Sequence, residues 1–337
     1  METATVTIRE VAQRAGVSIS TVSRVVNNSA PVNQPIRDRV LQAIEALGYT
    51  PDKSAQALKK QKTGIIGVII PDISNPFFSL MVRGVERAAR SYDYSVIICD
   101  TNNELELEND AIDILVHERA EGVVLTSNEQ RNDKINRLLR RNIPVVAADR
   151  RLESAHVSSV FIDGMRDSQL LTRYMLELGY QNITFLAGPD YVTTAQDRLQ
   201  GFMQTMKAHH LPAPNVQPQL SDYTYESGYQ TTKDLLMNGP LPEAIIAAND
   251  LMAIGALRAL EQQQLKVPQD IGLAGFDHIP LSDWIKPRLT TVDIPAYDIG
   301  WQAMELLIDV VLRREPPQQK MIHSSKLIKA ESTRRTR

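Results

Sequence analysis

From residue 64 onward, short apolar runs alternate with helix-length stretches, and this alternation constrains the fold more than any other feature. The runs are "IIGVII", "YSVIIC", "GVVLTS", "PVVAAD", "VSSVFID", "NITFLAG", "EAIIAA" and "IGLAGF". Between them lie helix-length stretches at 76–91, 104–118, 165–178, 195–210, 226–238 and 250–264. Strands covered on both faces read as continuous apolar runs, and a helix between two such strands is the crossover a parallel pair requires. The expected fold class is therefore α/β, with two doubly wound parallel-sheet subdomains. The first is expected over about 64–162 and the second over about 163–293. "LTTVDIP" and a helix from about 296 to 313 are shared, with 294–323 assigned to the first subdomain and 324–337 to the second.

Open sheets of this kind bind ligands just beyond the carboxyl ends of their strands. Beyond the ends of these runs stand Asp72 and Asn75-Pro76-Phe77-Phe78, then Asp149-Arg150, Arg198, Asn249-Asp250 and Asp277. Hydroxyl groups need paired polar partners, and the C–H face of a sugar ring packs on aromatic side chains, so this set suits a sugar. Asp and Asn after strands are also ordinary helix caps, and for Asn249-Asp250 the two readings stand level.

Ahead of this body sits a small unit of different character. Thr7 and Glu10 have capping-box spacing, and Gly16 permits the left-handed corner that ends a first helix. Ser18 caps a second helix running to about Asn27, with Val22, Val25 and Val26 on one face and Ser20, Ser23, Arg24 and Asn27 on the other. A third helix is expected to start at an Asn33 cap with Pro35 in its first turn. Ile36, Val40, Ile44 and Leu47 form its stripe, and Gly48 stops it. Helix, tight turn, helix and a supporting helix make a helix-turn-helix. Its free face suits a major groove, where Arg bridges two acceptors of guanine. The same pattern also describes a small helical bundle that binds nothing. Residues 49–63, "YTPDKSAQALKKQKT", allow about two helical turns, too few to stand alone in water.

"IREVAQRAGVSISTVSRVVN" resembles the N-terminal signature of the LacI/GalR family of bacterial repressors. The resemblance implies a DNA-binding domain over 1–48, a hinge over 49–63 and an effector-binding, dimerising core over 64–337. It assigns base reading to Ile19, Ser20 and Arg24, within a DNA-contacting set that also includes Thr7, Ser18, Thr21, Ser23 and Asn27. Ile19 borders the valine face, so a core role competes with contact to a thymine methyl. From the hinge the resemblance assigns Ala55, Leu58 and Lys59, with Leu58 as a minor-groove wedge. A flexible basic linker is the competing reading of that segment. The body resembles the periplasmic-binding-protein-like core of the same family, and "NPFF", "DR", "RLQGF", "AAND" and "GFD" are similar to the sugar-binding set of ribose-binding proteins. This implies effector contacts from Asn75, Phe77, Phe78, Asp149, Arg150, Arg198, Asn249 and Asp277. Two positions depart: Tyr223 stands where those proteins have Phe, and Ile294 where a Gln is expected.

Charge supports the division of labour. Residues 1–62 carry nine Lys/Arg against five Asp/Glu, while the remainder carries 28 against 35. A basic head on an acidic body suits a polyanion at the head. The one cysteine, Cys99, lies in an apolar run and is read as core. The chain start has no apolar leader segment and no run approaches a membrane span, so a cytoplasmic protein with no membrane partner is expected. His117, His156, His209, His210 and His323 have no metal-ligand spacing, so no metal is expected. His278 is read as pocket-lining or surface, and Trp284 as closing the cleft or, in preference, packing in the core.

These features favour a DNA-binding repressor over a transport-associated sugar-binding protein or an enzyme. The chain shows no nucleophile motif, phosphate loop or dinucleotide loop. The expected partners are a palindromic double-stranded operator, a second copy of the chain and a small effector of sugar class, with no cofactor. No heptads follow "LIKAESTRRTR", so a C-terminal zipper is not expected. Alternatives within the repressor class are a catabolite-control-type regulator with a phosphoprotein corepressor and a purine- or nucleoside-responsive repressor.

Overall fold

The structure, a computed structural model, describes residues 6–49, 62–126, 135–152, 156–211, 215–217, 222–322 and 325–334. The chain divides into two compact units, Met1–Thr63 and Gly64–Arg337. Ala55, Leu58 and Lys59 lie outside the described residues. Among those described, no helix is long and apolar enough to cross a membrane.

In the first unit, α1 (Ile8–Ala15), α2 (Ile19–Asn27) and α3 (Gln34–Leu47) enclose a small core of Val11, Ala12, Ala15, Val22, Val25, Val40 and Ala43. The capping box forms: the Thr7 amide donates to the Glu10 carboxylate at 2.6 Å, and the Glu10 amide donates back to Thr7 Oγ1 at 3.4 Å. Gly16 turns the corner at φ 63°. Ser18 caps α2 by accepting from the Thr21 amide at 3.2 Å. Asn33 departs from expectation, since it stands at the N-cap of α3 but makes no side-chain cap bond there. Ile36, Ile44 and Leu47 are half-buried, and Ala43 completes the α3 contact instead.

The second unit carries two six-stranded sheets. One joins β1 (Ile65–Ile70), β2 (Ser95–Asp100), β3 (Gly122–Leu125), β4 (Val145–Asp149), β5 (Ser158–Ile162) and β11 (Gln319–Ile322) in the order β11-β5-β4-β3-β1-β2. All of its pairings are parallel. The other joins β6 (Ile183–Leu186), β7 (Asn215–Gln217), β8 (Ala244–Ala247), β9 (Gly272–Asp277), β10 (Thr290–Asp293) and β12 (Lys326–Ile328) in the order β12-β10-β9-β8-β6-β7. Here the edge strand β12 runs antiparallel to β10, a departure from the all-parallel expectation.

The crossovers of the first sheet are α4 (Pro76–Ser91), α5 (Leu105–His117) and the short α6 (Ile135–Arg140). Those of the second are α7 (Gly164–Glu177), α8 (Thr193–Ala208), α9 (Tyr225–Asn238) and α10 (Asp250–Gln262), followed by the five-residue α11 (Pro280–Trp284). After β10 the chain returns to the first sheet as α12 (Ala296–Ile308), which packs on α4. The helix expected to reach about 313 changes to a π-helical turn over Asp309–Arg313 and stops at Arg314, φ 57°.

Of two residues read as core, Cys99 packs against a core cluster without being fully buried, and Trp284 lies outside the core. Cys99 is only half-buried because β2 is the edge strand of its sheet, so one side of it lacks a neighbour. Trp284 is 74% exposed, because α11 is a single short turn that buries Ser282 and leaves its last residue facing solvent.

Helices pack closely where glycine removes the side chain. A Cβ on Gly84 in α4 would stand 2.1 Å from the Tyr297 carbonyl oxygen, and one on Gly300 in α12 would stand 1.9 Å from that of Met81. Gly228 and Gly255 repeat the arrangement between α9 and α10, at 2.2 Å from the Met252 oxygen and 2.0 Å from the Tyr225 oxygen. Backbone cannot rotate aside as a side chain can, so an added methyl forces the helices apart. Gly300→Ala is expected to lower stability at the upper end of the roughly 1–3 kcal/mol typical of overpacking. Gly239→Ala, with nothing within 4 Å of its Cβ position, is expected to stay within about 0.5 kcal/mol. Urea denaturation followed by circular dichroism measures both, and equal midpoints for the two variants would contradict close helix approach.

Candidate functional site

The carboxyl ends of β4, β8 and β9 bring Asp149, Asn249 and Asp277 to one region of the second unit. At its centre is Arg198, from the second turn of α8. Its guanidinium donates to the Ala248 carbonyl at 2.6 Å and to Asp277 Oδ1 at 2.9 Å, and it lies 4.8 Å from the Phe276 ring centre. The two side chains of the ion pair are 4% and 7% exposed. Burial opposes the charge on Arg198, but Asp277, with Tyr223 and Asp149 behind it, more than offsets this and holds its pKa above the ordinary arginine value.

Asp149 and Arg150 face this pair from the other sheet. Burial raises the Asp149 carboxyl against the pull of Arg150 and Arg198. Its Oδ1 is buried with no hydrogen-bond partner among the described residues. Arg150 lies 5.9 Å from the Phe78 ring centre, and Phe78 packs edge-to-face on Phe77 at 5.3 Å. Asn75 is buried at the N-cap of α4 and accepts from the Phe77 amide at 3.0 Å. Tyr223 lies close enough to both arginines to interact electrostatically with each. The structure thus gathers Phe78, Asp149, Arg150, Arg198, Tyr223, Asn249 and Asp277, with Asn75 and Phe77 beside Phe78.

Asn249 fulfils the capping reading directly. It accepts from the Met252 amide at 2.9 Å, and its own amide donates to the Tyr223 carbonyl at 2.9 Å. Its neighbour Asp250 has a role that charge after a strand does not reveal. Its carboxylate accepts from the Ile279 amide, the Ser282 hydroxyl and the Thr291 hydroxyl, tying the start of α10 to the corner after β9 and to β10. Complete burial, with Asp277 nearby, pushes its pKa up to about 7. That corner is strained: Asp277 and His278 have φ 104° and 52°, and Asp149 and Tyr223 both have φ 67°. Non-glycine residues held at positive φ cost on the order of 1–3 kcal/mol each and persist where their surroundings enforce them. No sequence pattern announces them. Ile294, in place of the expected Gln, is buried immediately after β10.

His278 falls to neither reading alone: it is half-buried between two carboxylates, with Nε2 3.2 Å from Asp283 and Nδ1 3.6 Å from Asp293.

In the first unit, α2 presents Ser20 and Arg24 to solvent, and Ile19 is 45% exposed rather than core. Ser23 and Asn27 are half-buried, and the Asn27 amide donates back to Ser23. Thr7 and Ser18 use their hydroxyls in helix caps, with Thr21 Oγ1 2.9 Å from Ser18 Oγ. The free surface of α2 therefore centres on Ile19, Ser20 and Arg24.

A helix-turn-helix unit and a two-sheet core whose strand ends converge on buried charges define a class, that of DNA-binding regulators with a small-molecule core. Residues 7–52 match the family of bacterial regulatory proteins of the lacI type, and residues 63–331 match the periplasmic binding proteins and sugar binding domain of the LacI family. The ribose operon repressor of Halalkalibacterium halodurans is 35% identical over 97% of each chain. The lac repressor dimer bound to operator and an anti-inducer is similar with a TM-score of 0.84 at 27% identity, covering 98% of this chain and 99% of that one. A LacI-family regulator from Enterococcus faecium with bound ribose is similar with a TM-score of 0.74 at 27% identity, covering 81% of this chain and 100% of that one. The chain belongs to the LacI family. It is a transcriptional regulator and not an enzyme.

The buried charges make two outcomes measurable. Arg198→Met strands Asp277 in a buried site and is expected to cost about 3–5 kcal/mol, part of which returns when Asp277→Asn, which removes the charge and tolerates the positive φ, is added. Urea denaturation of the single and double variants measures this, and a double variant no more stable than the single would contradict it. His278 supplies a pH dependence. The Asp293 carboxylate is the chief cause that raises its pKa above the ordinary 6.5, so the folded state binds the proton more tightly than the unfolded chain. Its stabilisation is fully present below about pH 6.5 and is lost as pH rises through the raised value. The melting-temperature difference between the protein and His278→Gln is therefore expected to shrink from pH 6 to pH 9.

Proposed function

We propose that this chain is a sugar-responsive repressor acting as a homodimer on a palindromic operator. Residues 1–48 read the half-site, residues 49–63 form the hinge with Ala55, Leu58 and Lys59 at the minor groove, and residues 64–337 bind the effector and dimerise. Base contact is assigned to Ile19, Ser20 and Arg24. Effector contact is assigned to Asn75, Phe77, Phe78, Asp149, Arg150, Arg198, Tyr223, Asn249 and Asp277.

The observation that carries the reading is the convergence of two aromatic rings with buried paired charges at the strand ends, facing one another from two sheets. Aromatic faces suit the C–H side of a sugar ring, and carboxylate and guanidinium groups suit its hydroxyls. The relative named a ribose operon repressor and the ribose-bound regulator support a ribose-like effector. Three chain crossings join the two sheets, after β5, after β10 and between β11 and β12, so closure about a ligand has a natural hinge. Effector and operator each favour one conformation, and each then changes the affinity of the other by the same factor.

The test is a gel-shift titration of the full chain on its operator, with and without a panel of pentoses and hexoses. One sugar is expected to change operator affinity about 5- to 150-fold. No change with any of them would remove the sugar reading. Arg24→Ala is expected to lose about 1–3 kcal/mol of operator affinity and to relax preference at one base of each half-site. Equal loss on all sequences would make Arg24 a phosphate contact.

A further inference from the structure

Tyr223 is the one aromatic residue of the site that departs from the set its sequence resembles, and its position is enforced. Its backbone is left-handed at φ 67°, and its carbonyl is held by the Asn249 amide at 2.9 Å. Its ring tip lies against Gly188, where a Cβ would stand 2.5 Å from Cζ and 2.7 Å from the hydroxyl oxygen. Glycine at 188 therefore makes room for this hydroxyl. The oxygen is sealed from solvent, yet it forms no hydrogen bond of good geometry among the described residues, although Thr194 lies close. Asp149 Oδ1 and Arg198 Nε, of the same site, are buried and without a partner in the same way.

A buried polar group without a partner is costly, and a phenylalanine ring would fill the same space without that cost. The hydroxyl is retained against Gly188 and within electrostatic reach of Arg150 and Arg198, where an incoming molecule would complete it. Asp149 Oδ1 accepts only, Arg198 Nε donates only, and the phenol does either. A ligand that satisfies all three offers a donor and an acceptor close together, as hydroxyl groups do. Charge narrows the class further. Arg198 is already ion-paired with Asp277, and Asp149 adds negative charge close to both arginines. A phosphate would enter a site whose positive charge is spent.

We propose that the Tyr223 hydroxyl reads one hydroxyl group of the effector, and that the effector is an uncharged polyol and not its phosphate ester. This rests on the sugar reading above. Tyr223 is then a specificity-determining residue that separates a sugar from its deoxy analogue, because the deoxy form leaves the phenol unpartnered.

Thermal-shift screening of the full chain with neutral pentoses and hexoses, each alongside its terminal phosphate, finds the tightest binder. Calorimetry then compares the protein with Tyr223→Phe, using that sugar and its monodeoxy analogues. The variant is expected to bind the sugar at least tenfold more weakly, and one monodeoxy analogue is expected to bind both proteins equally. Without ligand the melting temperature of Tyr223→Phe is expected to equal or exceed that of the parent, because an unpartnered group has been removed. Equal sugar affinity in the two proteins overturns the proposal, as does a phosphate ester that binds more tightly than the free sugar. A fall in the ligand-free melting temperature assigns the hydroxyl to the fold instead. If no sugar or sugar phosphate binds the parent, the sugar reading falls and this inference falls with it.

Discussion

The buried pair of Arg198 and Asp277 organises the candidate site of the second unit. One guanidinium joins the end of β8, through the Ala248 carbonyl, to the end of β9, through the Asp277 carboxylate. Replacing such a pair by apolar side chains is often neutral or stabilising, so its presence is weak evidence of a stability role. Its geometry suits another purpose. It presents charge at the carboxyl end of the sheet, where β4 brings Asp149 and Arg150 from the other side. Around it the backbone is held at positive φ at Asp149, Tyr223, Asp277 and His278. Asp250 holds the corner after β9 from beneath, with three donors on one carboxylate. The site is thus built from strain and buried charge.

The α/β core was legible because its strands are covered on both faces. All eight apolar runs became strands, and the six helix-length stretches became helices within a few residues of their expected ends. The elements that escaped are short or polar. β7, β11 and β12 have three, four and three residues, and α6 and α11 have six and five, too few for a period to show. Cys99 and Trp284 are less covered than their hydropathy implies for one reason. Hydropathy records what a residue prefers, but an edge strand or a single helical turn offers no second surface to cover it.

Site residues divide in the same way. Spacing after strands singled out Asp149, Arg198, Asn249 and Asp277, and the structure brings them together because side chains beyond the carboxyl ends of such strands converge. Spacing did not separate the cap from the contact at Asn249, since one side chain serves local structure whatever else it meets. The bracing role of Asp250 escaped because a carboxylate at the first turn of a helix looks like an ordinary favourable charge. Its long-range bonds to Ser282 and Thr291 depend on tertiary folding. In the opening unit, capping residues and the valine face were explicit in the sequence. The exposure of Ile19 needed coordinates, because its helical angle borders both faces.

The exchange of terminal segments between the sheets has a consequence for how the protein is made. α12 lies on α4 and β11 edges the first sheet, while β10 and β12 complete the second. The first sheet therefore waits for residues near 320 although its other strands end at Ile162. A ribosome delivers the chain from one end, so both lobes remain unfinished until this last stretch emerges. The exposed face of α4 and the open edge of β5 then rely on late arrivals from far along the chain. Contacts of such sequence separation slow folding and lengthen the exposure of sticky intermediates. Such a chain matures most safely when it is dilute, because dilution limits the encounters through which its half-built lobes aggregate.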